Sequence, residues 1–331
     1  MALLCEAFYS PSGRPSLRAE PVGLLDTAQG LTYNARTMGS DERARRLRQR
    51  LRDGLLIGDG AVGTALSAYG QTPGQALEIL NVEDPDRVRA VHQGYLDAGS
   101  DVLETNTFQG SRLALERHGL AGRTAELNIA GARLVRAVAG ERAFAAGSIG
   151  PTGRLLEPYG DLEEEVARAA FEEQAEALAQ GGVEMFIVET MSAIEEARLA
   201  VAAAAATGLP VAASMAFDPN GRTAFGVTPA RAAQELAEAG AFVVGANCGT
   251  ISSAEMVDII AAFHEATSLP LIAQPNAGRP QRTEEGVVFP ETPEVMAESA
   301  PRFRELGATL IGACCGSTPA HIRAIAARLR A

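Results

Sequence analysis

From Leu55 onward one pattern recurs along the chain: a short apolar run, a polar or glycine-rich turn, then a stretch with Ala and Leu at three-to-four spacing. Short apolar runs bounded by turn residues read as buried strands, and the three-to-four spacing reads as helices burying one face. The runs place strands at Leu55–Gly58, Val102–Glu104, Phe144–Ser148, Met185–Glu189, Val211–Met215, Phe242–Ala246, Leu271–Gln274 and Thr309–Gly312. Helices are expected between them at Pro85–Ala98, Arg112–Ala139 (interrupted near Gly119 and Gly122), Leu162–Gln180, Ala193–Ala206 and Pro229–Ala239. Three more follow at Ala254–Ala266, Pro293–Leu306 and Pro319–Arg330. Eight strand–helix pairs in roughly 280 residues is the count of an α/β (β/α)₈ barrel. A doubly wound open sheet is the rival; even pairing to the last residues favours closure. Thr228-Pro229, Thr292-Pro293 and Thr318-Pro319 each put a capping Thr before a first-turn proline.

Residues 1–45 lack this period and carry scattered Pro and Gly. They divide the chain into an N-terminal extension, 1–45, and the barrel, 46–331, with a helix starting near Asp41. The extension lacks the basic start and apolar stretch of a signal peptide.

Composition narrows the chemistry. All 29 basic residues are Arg, and there is no Lys. Schiff-base lysines and lysine-bearing phosphate loops are therefore excluded. A net charge of −12 argues against nucleic acid. No apolar run reaches the ~18 residues that span a bilayer, so a soluble cytoplasmic protein is expected. Four Cys in 331 residues make no disulfide framework. The four His fall on helices, away from a barrel mouth, where structural roles are expected.

Cys248 follows the sixth strand in VVGANCGT, and Cys314 and Cys315 follow the eighth in LIGACCGST. Chemistry in a barrel gathers at the strand ends, so three thiolates converging there make a zinc site with one position open. Neighbouring side chains on a strand point opposite ways. The pair can share a metal only if the backbone turns, which Gly312 and Gly316 permit. The other reading is that these are small buried hydrophobes. Cys5, in the extension, is incidental. A zinc ion with three sulfur ligands suits activation of a substrate thiol; activation of water is the competing use.

The motifs GDGAVGT, ETNTF, GSIGPTG, VET, NCG, QPNAG and GACCGSTP, in this order from about Leu55 to the C-terminus, closely resemble the homocysteine S-methyltransferase family. Within it they look nearest to the homocysteine-binding module of cobalamin-dependent methionine synthases. The resemblance implies a (β/α)₈ barrel that holds Zn²⁺ through Cys248, Cys314 and Cys315, the catalytic centre. It also implies attack of homocysteine thiolate on a donor methyl group to give methionine. In the family two acids hold the substrate ammonium, and the matching positions here are Asp59 and Glu189. The alternatives are a turn cap for Asp59 and an Arg partner for Glu189. Backbone N–H groups of Gly60, Ala61, Val62 and Gly63 are candidates for the substrate carboxylate. Gly147, Ser148, Asn106, Asn247 and Asn276 are candidate pocket residues, with local turn hydrogen bonding as the other reading.

The donor is less legible. The chain ends just past the eighth helix and carries no D-x-H-x-x-G cobalamin signature. The donor is therefore expected to be external: methylcobalamin or a corrinoid protein, with a corrinoid or folate-binding protein as partner. The alternatives are a stand-alone enzyme using S-methylmethionine or a betaine, and a non-catalytic zinc and thiol-binding subunit.

Overall fold

The computed structural model describes residues 38–67, 75–283 and 286–331. Among them, eight parallel strands follow the order β1 (Leu56–Ile57), β10 (Ala308–Ile311), β7 (Leu271–Gln274), β6 (Val243–Asn247), β5 (Val211–Met215), β4 (Met185–Met191), β3 (Phe144–Ile149) and β2 (Val102–Glu104). This is the expected (β/α)₈ barrel, nearly closed. The sheet's ends, β1 and β2, meet across a seam held largely by side chains. Asp101 N–H donates to Ile57 O at 2.7 Å, and Ile57 N–H donates to Asp101 Oδ2 at 2.9 Å. Higher up, Glu104 N–H donates to Asp59 Oδ2 at 2.9 Å.

Alternation along each strand sorts the residues. Leu56, Val102, Phe144, Ala146, Met185, Ile187, Ala212, Val243, Ile272 and Leu310 fill the lower interior. Their neighbours Ile57, Leu103, Ala145, Phe186, Ala213, Val244, Ala273 and Ile311 pack outward against the helices. Two residues on from several interior apolar positions the side chain becomes polar: Val102 leads to Glu104, Ala146 to Ser148, Ile187 to Glu189, Ala212 to Ser214 and Ile272 to Gln274. The interior is thus oily at the base and polar at the mouth.

Helix α1 (Met38–Asp53) closes the base. Its Leu47 and Leu51 join the interior cluster, with Leu51 fully buried. Arg43 bonds the Glu184 carboxylate, and its guanidinium lies 4.9 Å from the Phe144 ring centre.

The outer helices are α2 (Val62–Ser67), α3 (Leu80–Glu83), α4 (Pro85–Ala98), α5 (Arg112–Glu116), α6 (Thr124–Ala139), α7 (Glu164–Gly181), α8 (Ile194–Ala206), α9 (Pro229–Glu238), α10 (Ser253–Ala266), α11 (Pro293–Glu298), α12 (Ala300–Glu305) and α13 (Pro319–Arg330). The expected break near Gly119 and Gly122 separates α5 from α6. The helix expected over 293–306 is also two, because Pro301 at the start of α12 has no N–H for a preceding carbonyl. Not legible in the periodicity are α2, α3 and a hairpin of β8 (Gln281–Thr283) and β9 (Gly286–Val288) after β7. Thr228 and Thr292 cap as expected, accepting from Arg231 N–H and Val295 N–H. Thr318 is also the N-cap of its helix, in a capping box in which its N–H donates to His321 Nδ1 at 3.1 Å. No helix among the described residues is long and apolar enough to cross a membrane. Cys5 lies outside the described residues.

Candidate active site

Asn247 ends β6 facing the interior, so Cys248 would face outward on a regular strand. A left-handed backbone at Cys248, φ 55°, turns its thiol back toward the mouth. The turn is held by Cys248 N–H to Gln274 O at 3.1 Å and by Asn276 Nδ2 to Gly249 O at 2.9 Å. After β10 the chain bends through Cys314–Ser317, closed by Ser317 N–H to Cys314 O at 3.2 Å. Gly316 sits in that bend at φ 77°, and a Cβ there would stand 2.4 Å from Phe289. Gly312 serves differently from the expectation: it lets β10 approach β1, since a Cβ would meet Asp59 O at 3.0 Å.

These bends bring Cys248, Cys314 and Cys315 together, with all three sulfurs within 4.8 Å of one another. Cys315 Sγ is 3.9 Å from both Cys248 Sγ and Cys314 Sγ. Sulfurs at ~2.3 Å from a tetrahedral zinc stand about 3.8 Å apart, so the group fits a metal ion of that size. The thiols are half-buried, which leaves a side open to the mouth. Hydrogen bonds from Cys314, Cys315 and Gly249 N–H hold Cys248 well below the usual thiol range. Its neighbours push Cys314 well above that range.

Beside the thiols stand three carboxyls. Asp59 follows β1, Glu104 ends β2 and Glu189 lies in β4. Asp59 Oδ2 accepts from Glu104 N–H, while its Oδ1 is buried without a partner. Glu104 Oε1 accepts from Gln274 Nε2 at 2.5 Å. Glu189 Oε1 accepts from Ser148 Oγ at 2.5 Å, and its Oε2 from Asn247 Nδ2 at 3.2 Å. Asn247 is itself fixed by Thr190 N–H and Ser214 Oγ, which donate to its Oδ1 at 2.7 and 2.8 Å. Burial raises all three carboxyls above the usual carboxylate range, Asp59 and Glu104 most strongly.

Of the other expected pocket residues, Ser148 and Asn247 reach the site as supports of Glu189. Asn276 supports the Cys248 turn. Asn106 is not brought to the site: its amide donates to Leu77 O and Asn81 Oδ1 at 2.8 and 3.1 Å. Gly147 faces outward, where a Cβ would stand 3.1 Å from Leu178. Gly60 is a close-packing position under Tyr95 and Ser317, and the Ala61 N–H is already given to Ser317 Oγ at 3.1 Å. Glu104 and Gln274 are site residues that motif reading passed over. The signal for both is their parity with the interior apolar positions.

The profile of the family described as homocysteine S-methyltransferase matches residues 56–329. The chain belongs to this family. It is 33% identical to methionine synthase of Mycobacterium tuberculosis over 82% of its own length, but spans only 24% of that protein. It is 35% identical to betaine–homocysteine S-methyltransferase 1 of Bos taurus, covering 85% of this chain and 74% of the bovine one. Among solved structures it resembles the homocysteine methyltransferase MmuM of Escherichia coli in its metallated form, at 26% identity and a TM-score of 0.69. That likeness covers 83% of this chain and 96% of MmuM. All of the site residues above lie within the family match.

Proposed function

We propose that the chain is a zinc-dependent homocysteine S-methyltransferase. The observation that carries this is the convergence of three thiols within 4.8 Å beside a buried carboxylate with an unpartnered oxygen. Cys248, Cys314 and Cys315 are the residues that would hold Zn²⁺, which when bound keeps a substrate thiol deprotonated near neutral pH. Asp59 Oδ1 is a free acceptor and Glu189 is held by Ser148 and Asn247, so the two suit the ammonium of an amino-acid thiol. A thiol without the amino group would leave Asp59 Oδ1 buried without a partner, which penalises it. In the reaction the substrate sulfur forms a bond to the donor methyl carbon. The bond from methyl to donor breaks, and its electron pair leaves with the donor.

For the donor, the reading is methylcobalamin or a corrinoid protein, supported by the similarity to methionine synthases. A small onium donor is the second reading, favoured by the 35% identity to the betaine-using enzyme over 74% of its length.

The test supplies zinc-loaded protein and homocysteine with methylcobalamin, S-methylmethionine or betaine in turn, and measures methionine. Methionine from methylcobalamin alone is the expected result. Turnover with an onium donor and without corrinoid replaces it with the second reading. Cys315→Ser is expected to lose zinc and methionine formation together. Full activity in a zinc-free Cys315→Ser protein rules out the metal's role, and no methionine from any donor rules out the function.

A further inference from the structure

Ser317 stands where two loops of the mouth meet, and the reading above gives it no role. It closes the bend that carries Cys314 and Cys315, and it is buried. Its hydroxyl donates to Cys314 O at 2.7 Å and accepts the Ala61 N–H at 3.1 Å. Its carbonyl accepts from the buried Tyr95 hydroxyl of α4 at 3.3 Å. One side chain therefore joins the turn of the cysteines to the loop that carries Asp59. A second tie lies beside it, where Ala313 N–H donates to Asp59 O at 3.0 Å. Gly60 lets the two loops come this close, because a Cβ there would stand 2.5 Å from Ser317 Oγ and 2.9 Å from the Tyr95 ring.

The two loops hold opposite ends of an amino-acid thiol. The cysteines hold its sulfur through the metal, and Asp59 Oδ1, buried without a partner, takes its ammonium. The gap between them is then a length. Cysteine, one methylene shorter than homocysteine, does not span it. A missing methylene is worth about 10- to 200-fold in a fitted pocket. That discrimination is lost where the walls can follow the shorter molecule. Ala61 and Ser317 lie 256 residues apart in the chain, so their spacing is set by the contact between them rather than by the backbone.

We propose that Ser317 is a positioning residue that fixes the distance between the sulfur-holding cysteines and Asp59, and thereby selects a thiol of homocysteine's length. The Ser317 hydroxyl touches neither the sulfur nor the ammonium. It acts through Cys314 on one side and Ala61 on the other. The inference rests on the proposed roles of the cysteines and of Asp59.

The test is Ser317→Ala, which removes both hydroxyl bonds and adds no atom to the contact. Calorimetry on the zinc-loaded full chain measures affinity for homocysteine, for cysteine and for 4-mercaptobutanoate, which is homocysteine without its amino group. Ser317→Ala is expected to bind homocysteine about tenfold more weakly than the parent. Its affinity for cysteine and for 4-mercaptobutanoate is expected to stay within about threefold, because neither thiol reaches both fixed ends. The preference for homocysteine over cysteine thus falls about tenfold, with zinc content per chain unchanged. A homocysteine affinity within threefold of the parent overturns the inference. So does an unchanged ratio of homocysteine to cysteine affinity. Equal loss of homocysteine and 4-mercaptobutanoate, or loss of zinc, marks damage to the cysteine turn alone and overturns it too. A parent protein that fails to prefer homocysteine over 4-mercaptobutanoate overturns the ammonium reading itself, and the inference with it.

Discussion

At His92, burial and titration pull against each other. The ring lies inside α4, fully buried, and neither nitrogen has a hydrogen-bond partner. Desolvation lowers its pKa from 6.5 to about 4. The folded state therefore keeps the ring neutral, while the unfolded chain takes a proton first as the pH falls. The contribution is whole above pH ~6.5 and is lost progressively down to pH ~4. His92→Leu should remove about 2 kcal/mol of the stability difference between pH 7 and pH 5, read from urea unfolding of both proteins. An identical pH slope in the two would show that His92 does not set acid sensitivity. The buried carboxyls at the mouth act in the opposite sense. Their raised values favour the fold in mild acid and weaken it as the pH rises through them. Legibility at this scale followed chemistry more than contact. The cysteines declared themselves through rare residue type at strand ends. Glu104 and Asn106, two residues apart in ETNTF, did not. Glu104 faces the interior while the Asn106 amide is spent on Leu77 and Asn81, and the motif alone does not distinguish them.

At the scale of elements, Asp101 carries the lower part of the seam between β1 and β2. Asp101 Oδ2 accepts the Ile57 N–H and pairs with Arg330 at 2.8 Å and Arg50 at 3.3 Å. It thereby ties α1, β1 and α13 to the start of β2. Asp101→Ala leaves the buried Ile57 N–H without an acceptor and separates two guanidinium groups from their partner. A loss of about 2–3 kcal/mol is expected in urea unfolding, with zinc content per folded molecule unchanged. A change below about 0.5 kcal/mol would show that the seam closes without it. Strands were legible because they are buried on both faces and read as continuous apolar runs. The seam was not, because its partner is a carboxylate in a turn with no periodic signature. The β8–β9 hairpin escaped for a related reason. Its residues are mostly exposed, so no apolar alternation marks them.

For the whole molecule, the consequence of the plugged base is kinetic. Leu47 and Leu51 of α1 seal the end of the barrel away from the thiols. On the proposed reaction, the amino-acid thiol and the methyl donor would thus come to the cysteines from the same side. In a direct transfer the incoming methyl must stand between the sulfur and the exit. The thiol must therefore settle first and the methylated product leave last. Initial-rate measurements should show a compulsory sequence with the thiol as leading substrate. Methionine should then compete with homocysteine, and the spent donor should not. Competition between the spent donor and homocysteine for the free enzyme would mean that the two reactants arrive independently. A helix at the far end of the barrel would in this way dictate the queue at its mouth.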